Sequence, residues 1–373
     1  MKVTIAVIPG DGIGPEVINQ AKKALDAIAD TYNHVFLYKE ALMGACAIEE
    51  TGNPLPDKTL EICKKVDAIL LGAIGDSTFD NNTSNKITPI QGLLRLRREL
   101  GLFCNIRPIK VYDGLLNNSP LKREFISGTD ILIYRELTGG IYFGIKELSD
   151  DRQNAFDGCS YSVEEISRIT HLAFKSAQKR RKKVTLVDKA NILETSRLWR
   201  KTVTEIAKEY QDVVLEFLFV DNAAIQIILN PKQFDVILTE NLFGDIIADE
   251  ASVISGSVGL LASASIGIKT GLFKPINGHL SHLKGKDITN PLASILSASL
   301  MLQHLGLHEE AFAIERAVEK SIQLGISTED IKGKNKYVAT TSKVGDFIAD
   351  YIANQEDSNL NFQNIHMGQS TII

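Results

Sequence analysis

Closely spaced cysteines, a surplus of positive charge and long apolar runs are what this 373-residue chain lacks. The four cysteines, Cys46, Cys63, Cys104 and Cys159, are scattered without metal-ligand spacing. They suit a reducing cytosol, where buried thiols act as small hydrophobes. The seven histidines show no HExxH-like pattern; His279 and His282 stand three apart without a partner cluster, which argues against zinc. No apolar run is long enough to cross a bilayer, and no charged leader opens onto a long apolar stretch at Met1. Neither a membrane span nor a signal peptide is therefore expected, and a cytoplasmic location is. The formal net charge of −5 gives no hint of nucleic-acid binding. The strong basic run Lys179-Arg180-Arg181-Lys182-Lys183 is expected to be a solvated helix end, where cations complement the dipole.

What is present is alternation. Short apolar, mostly β-branched runs at residues 3–8, 68–71, 131–134, 184–187, 214–220 and 236–238 are typical of strands covered on both faces. Amphipathic helices intervene: Pro15 opens one, and Ser162 with Glu165 forms a capping box ahead of Ile166, Ile169, Ala173 and Ala177 on one face. The pattern predicts an α/β protein with a largely parallel sheet, and the length suggests two domains. Residues 138–157 read as an arm or long loop. Residues 251–265, rich in Ser, Gly and Ala, allow a helix that approaches another backbone closely. Residues 355–373 read as a polar tail.

Asp245 and Asp249, one helical turn apart, carry the clearest chemistry. A spacing of four places both carboxylates on one helical face, where they repel unless a cation or proton lies between them. With no softer ligands nearby, the natural guest is a hard divalent ion. Asp221, after an apolar run, is a third candidate ligand or a helix N-cap. Lys189 ends another run and reads as a surface charge or, if desolvated near a metal, a base. Arg107 and Arg135 sit where arginine forks could grip carboxylates, whereas Arg95 and Arg98 are expected to be solvated. The loop Gly10-Asp11-Gly12-Ile13-Gly14-Pro15-Glu16 fails the Rossmann pattern, because Pro15 occupies its last glycine position.

That loop resembles a known family, as do Arg135-Glu136-Leu137-Thr138-Gly139-Gly140-Ile141-Tyr142-Phe143-Gly144, Val187-Asp188-Lys189-Ala190-Asn191-Ile192-Leu193 and Asn241-Leu242-Phe243-Gly244-Asp245. The four segments are similar to the isopropylmalate dehydrogenases, grouped with the isocitrate, homoisocitrate and tartrate enzymes. The resemblance spans nearly the whole chain. It implies two α/β domains that are not Rossmann-like, with parallel and mixed sheets. Residues 1–102 join 256–354 in the first domain, and residues 103–255 form the inserted second. It also implies a homodimer with active sites shared between subunits, and neither nucleic acid nor membrane as a partner. Arg97, Arg107 and Arg135 would hold the substrate carboxylates, and Asp221, Asp245 and Asp249 would bind Mg²⁺ or Mn²⁺. Lys189 would take the C2 hydroxyl proton, and Tyr142 would protonate the enol left by decarboxylation. Both Lys189 and Asp221 would come from the partner subunit. Leu93, Leu94, Asn191 and Ile192 would line the substrate pocket. NAD would lie against Ile13, Ser77, Ile90, Asn277, Gly278, His282 and Asn290.

The cofactor side departs from the family pattern. Ile90 stands where an acid is usual, Lys274 and Asn277 replace a glutamate and a histidine, and His282 replaces the acid that reads the adenosine ribose. Smaller changes fall at Ala248 and Ala262. Lys274, His282 and Lys284 would suit a 2′-phosphate, as in NADP. The alternatives to an isopropylmalate dehydrogenase are a sibling acting on malate, tartrate or isocitrate, and a scaffold with impaired catalysis.

Overall fold

The computed structural model describes residues 1–80, 87–333 and 337–354. The tail expected at 355–373 lies outside the described residues. Among those described, twelve strands form: β1 Lys2–Gly10, β2 Val35–Glu40, β3 Ala68–Ala73, β4 Cys104–Lys110, β5 Asp130–Glu136, β6 Lys146–Leu148, β7 Ala155–Asp157, β8 Lys183–Asp188, β9 Val214–Phe219, β10 Val236–Thr239, β11 Ala262–Ile266 and β12 Gly271–Pro275. Ten of them build one mixed sheet in the order β2-β1-β3-β12-β11-β4-β5-β10-β8-β9. The expected α/β class is therefore found. Every apolar run read as a strand is one, and β3 and β10 are buried along their whole length.

Helices cover both faces. The Gly14–Tyr32 helix, with Pro15 in its first turn, turns Val17, Ile18, Ala21, Ala24, Leu25 and Ile28 inward. It packs on helices Thr341–Ala353 and Leu292–His304. The latter is buried on almost every side, as an apolar helix between two layers must be. Ser162 accepts from the Glu165 N–H and the Glu165 carboxylate reciprocates, which fixes the start of helix Val163–Gln178. That helix covers Tyr134, Val184, Leu186 and Leu238 on one sheet face. On the other face, Ile133, Val187 and Ile237 meet Ala223, Ile227 and Ile247 of the next two helices. The period of two does the sorting. In β4 it sends Cys104 and Ile106 to the first face and Asn105 and Arg107 to the second.

Several local expectations change. Asp221 does not cap a helix. The Val220–Leu229 helix has already begun, with Phe219 at its N-cap, and Asp221 lies in the first turn. Residues 251–265 do not form one helix; Asn241–Ser252 ends and the chain passes through two short 3-10 turns into β11. The arm contains an antiparallel β6–β7 pair. The basic run is not simply solvated: Arg180 binds the buried Asp235 at 2.8 Å and Asp130 at 2.8 Å. No described helix is long and apolar enough to cross a membrane.

Candidate active site

The site gathers where β5 and β10 end side by side and parallel. Sites in α/β sheets form at such carboxyl ends because the loops there diverge. Glu240 caps the Asn241–Ser252 helix, accepting from the Phe243 N–H at 2.8 Å. The Tyr161 hydroxyl donates to the Glu240 carboxylate at 2.7 Å and accepts the Asn241 N–H at 2.9 Å. The Asn241 side chain then accepts from Arg135 Nε and Nη2 at 3.0 and 2.8 Å and donates to the Gly139 carbonyl at 3.0 Å. Gly244 lets the helix rest directly on Arg135: a Cβ there would stand 2.7 Å from Arg135 Cγ.

This seating aims the helix carboxylates at the strand arginines. Arg135 pairs with Asp245, and Arg107 pairs with Asp249 while standing 3.6 Å from Asp245. Arg107 Nε also donates to Asn105 Oδ1 at 3.0 Å. The Tyr142 hydroxyl donates to the second Asp245 oxygen at 3.0 Å. Burial and then Asp245 raise the Tyr142 phenol above its ordinary range, so it remains a proton donor at neutral pH. Arg97 differs from its neighbours. Among the described residues its side chain makes no hydrogen bond or ion pair, and its Nε is buried without a partner. Burial, followed by Arg135 and Arg107, pulls its pKa down to about 10. A cavity of about 650 Å³ adjoins the cluster; its polar lining comprises Arg97, Arg98, Arg135, Thr138, Tyr142, Lys146, Glu165, Arg168 and Asn241, and its apolar lining Leu94, Leu102, Leu137 and Phe143. Leu94 lines this space, whereas Leu93 is buried in the core beside Leu96 and Leu272.

A second group stands apart. Lys189 Nζ binds Asp221 at 2.6 Å, and that ammonium holds the Asp221 carboxyl below the usual carboxylate range. Arg200 grips Asp188 through two bonds of 2.9 and 2.8 Å, fixing the end of β8. Ile192 beside them is 64% exposed. Among the described residues, no hydrogen bond or ion pair joins this group to Asp245. Asp245 and Asp249 converge on Arg107, and Asp221 is not gathered with them among the described residues. No three His, Cys, Asp or Glu side chains of the described residues gather as a metal group. The oxygen-only donors of Asp245 and Asp249 still fit a hard divalent ion, provided further ligands come from outside the chain.

On the side proposed for the cofactor, loops are fastened largely through main-chain N–H groups. The Ile13 N–H donates to the His279 carbonyl at 2.9 Å. Gly75 leaves room for the His279 ring, because a Cβ would lie 2.6 Å from it. Asp11 accepts the N–H groups of Ala45, Cys46 and Gly75, which ties three loops together. Ser77 opens the short Ser77–Asp80 helix. Asn290 donates to Asp330 at 3.0 Å, and Asn277 is buried with its carbonyl oxygen unpartnered. Ile90, Gly278 and His282 are exposed. Tyr161, Glu240, Asn241 and Asn105 were not singled out from the sequence. The signal for Glu240 and Asn241 was there, since a residue able to cap directly before an aspartate-bearing helix is a candidate organiser.

Residues 4–348 match the family model described as isocitrate/isopropylmalate dehydrogenase. The chain belongs to that family. It is 51% identical over 354 residues to the 3-isopropylmalate dehydrogenase of Wolinella succinogenes, covering 94% of this chain and 98% of that protein. The 3-isopropylmalate dehydrogenase of Clostridium acetobutylicum is 50% identical over 349 residues, covering 92% and 98%. Among solved structures, isocitrate dehydrogenase from Methylococcus capsulatus superposes with a TM-score of 0.83 at 32% identity, covering 94% of this chain and 99% of that one. A beta-decarboxylating dehydrogenase from Thermococcus kodakarensis gives 0.78 at 34%, covering 94% and 96%. Membership makes the chain an enzyme of the dehydrogenase class, which accords with a nicotinamide cofactor and a divalent metal.

Proposed function

We propose that the chain is a 3-isopropylmalate dehydrogenase of leucine biosynthesis. It would oxidise (2R,3S)-3-isopropylmalate with NAD and release 2-oxoisocaproate and CO₂. The observation that carries this is one cluster, Arg97, Arg107, Arg135, Tyr142, Asp245 and Asp249, beside an apolar wall that includes Leu94. Arginine forks match the two carboxylates of a malate core. The aliphatic side chains of Leu94, Leu102 and Leu137 suit an isopropyl group.

Asp245 and Asp249, with Asp221 of a second copy, would hold Mg²⁺ or Mn²⁺. When bound, the ion acidifies the C2 hydroxyl and the nicotinamide accepts the hydride. Lys189 of the second copy receives the hydroxyl proton. In a single copy Lys189 Nζ pairs with Asp221 at 2.6 Å, so this pair must part when Asp221 turns to the ion. Arg97, Arg107 and Arg135 hold the carboxylates, and Tyr142 protonates the carbon that loses CO₂.

A homodimer follows from this sharing. Exposed apolar side chains on neighbouring elements, Phe217, Ile225, Leu229, Ile246 and Val253, give such a partner a surface. The domain division proposed is residues 1–102 with 256–354, and 103–255, in a cytoplasmic enzyme without nucleic-acid or membrane partners. NAD would lie against Ile13, Ser77, Ile90, Asn277, Gly278, His282 and Asn290. NAD reduction with 3-isopropylmalate and Mn²⁺ tests the assignment; activity no higher than that of Lys189→Ala rejects it. The exposed Ile90 and His282 favour one second reading, a chain that binds substrate and metal without NAD. Tight NAD binding by calorimetry would eliminate that reading.

A further inference from the structure

One cation in the cleft has no counter-charge and no part in the mechanism above. Lys274 of β12 sits opposite Ser263 of β11. The Ser263 hydroxyl lies 3.4 Å from the Asn105 amide nitrogen, and Asn105 in turn accepts from Arg107. These residues form a polar row on the sheet face overlaid by the Pro89–Glu99 helix, which supplies Arg97: Leu93 and Leu96 of that helix pack with Leu272, two residues from Lys274 on the same face of β12. Lys274 Nζ donates to the carbonyl of its own neighbour, Pro275, at 2.5 Å. No carboxylate among the described residues pairs with it. Its ammonium is pushed down to about 7, first by burial and then by Arg97 and Arg107. Arg97 is equally unpaired, with a buried Nε lacking any acceptor. Arg107 and Arg135, by contrast, already have Asp249 and Asp245.

Two partly buried cations side by side without an anion are destabilising unless something occupied the gap in the working state. We propose that Lys274 and Arg97 together grip one carboxylate of the substrate, making Lys274 a specificity-determining residue. This rests on the dicarboxylate function proposed above. A carboxylate suits the pair because a planar fork and a rotatable ammonium can share its two oxygens. The substrate is favoured over a cofactor phosphate because both groups facing Lys274, Arg97 and Arg107, belong to the proposed carboxylate-binding set.

The test compares wild type with Lys274→Met and Lys274→Arg. Calorimetry measures D-malate and 3-isopropylmalate, each with Mg²⁺, and NADH separately; a thermal melt is recorded without ligand. For Lys274→Met the expected result is a melting point equal to or above that of wild type. Both diacids should bind about tenfold more weakly, as loss of a charge-assisted hydrogen bond predicts. NADH affinity should be unchanged, and Lys274→Arg should recover most of the diacid affinity. A lowered melting point with unchanged diacid affinity would mark Lys274 as structural and overturn the proposal. A loss confined to NADH would reassign it to a phosphate and equally overturn it, as would the absence of any Lys274-dependent diacid binding. If D-malate binding depends on Lys274 but 3-isopropylmalate is neither bound nor turned over, the carboxylate grip stands and the isopropylmalate assignment falls. If wild type turns over 3-isopropylmalate and Lys274→Met matches it in every measure, the reverse holds.

Discussion

The side of this cleft proposed for the substrate and the side proposed for NAD are held in different ways. Around Arg135, side chains hold side chains: Tyr161 fixes Glu240, Glu240 caps the helix, Asn241 grips Arg135, and Arg135 meets Asp245. Each group satisfies another, so removing one strands its partner. Around His279, the backbone is fastened to the backbone at Ile13, and Glu16 accepts the N–H groups of Gly285 and Asp287. Side chains join in: His279 Nδ1 lies 2.8 Å from Ser281 Oγ, which donates to Asp76 at 3.1 Å. Where main-chain N–H groups carry much of the fastening, changes at Asn277 and His282 cost the path of the loop less than a change at Asn241 costs Arg135.

Breaking the first region should produce the largest effects. Tyr142→Phe removes a proton donor that is 41% exposed, so the fold should be spared. Turnover of 3-isopropylmalate should fall by about 100- to 10,000-fold, the usual range for an acid–base group; steady-state assay checks it. Arg135→Met leaves Asn241 without its donors and Asp245 without its nearest cation. Urea unfolding should show a loss of about 3 kcal/mol, as when one partner of a buried pair is deleted, together with loss of activity.

Between the two regions lies Lys274, whose effect depends on pH. Folding lowers its pKa from 10.5 to about 7, with Arg97 from the overlying helix and Arg107 from β4 as the facing charges. The charged form is thus penalised in the folded state. That penalty is complete below pH 7 and fades as pH rises toward 10. Stability of the ligand-free protein relative to Lys274→Met should therefore increase from pH 7 to pH 10; a flat difference would contradict the placement. The smallest effect belongs to the second region. His282→Ala, at an exposed position held by no side-chain bond, should alter the unfolding free energy by about 0.5 kcal/mol or less, with any consequence seen in the NAD-to-NADP preference.

What could be read from the residues themselves follows from how local each cause is. The runs that became β1, β3, β5, β8 and β10 were plain because strands buried on both faces need apolar residues throughout; β9 is equally apolar but forms a half-exposed edge of the sheet. β4, β11 and β12 carry Asn105, Arg107, Ser263, Ser265 and Lys274 on one face, so composition hid them. Register against neighbours, rather than propensity, makes them strands. The same holds at the site. Asp245 and Asp249 were legible from a spacing of four, but their partners Arg107 and Arg135 come from strands more than a hundred residues away and were assigned through family likeness. The unpaired condition of Arg97, and the crowding of Lys274 against it, has no local signature.

Three residue pairs bridge the seam between β11 and β4, as three bridge that between β12 and β3, against seven between β4 and β5. Arg97 and Lys274 ride on one side of that joint, and Arg107, Arg135 and Asp245 on the other. A few degrees of rocking about so short a stitch would widen or shut the gap between these two banks of charge. A diacid long enough to touch both banks would tie the two halves of the sheet together, whereas a shorter one would touch only one of them.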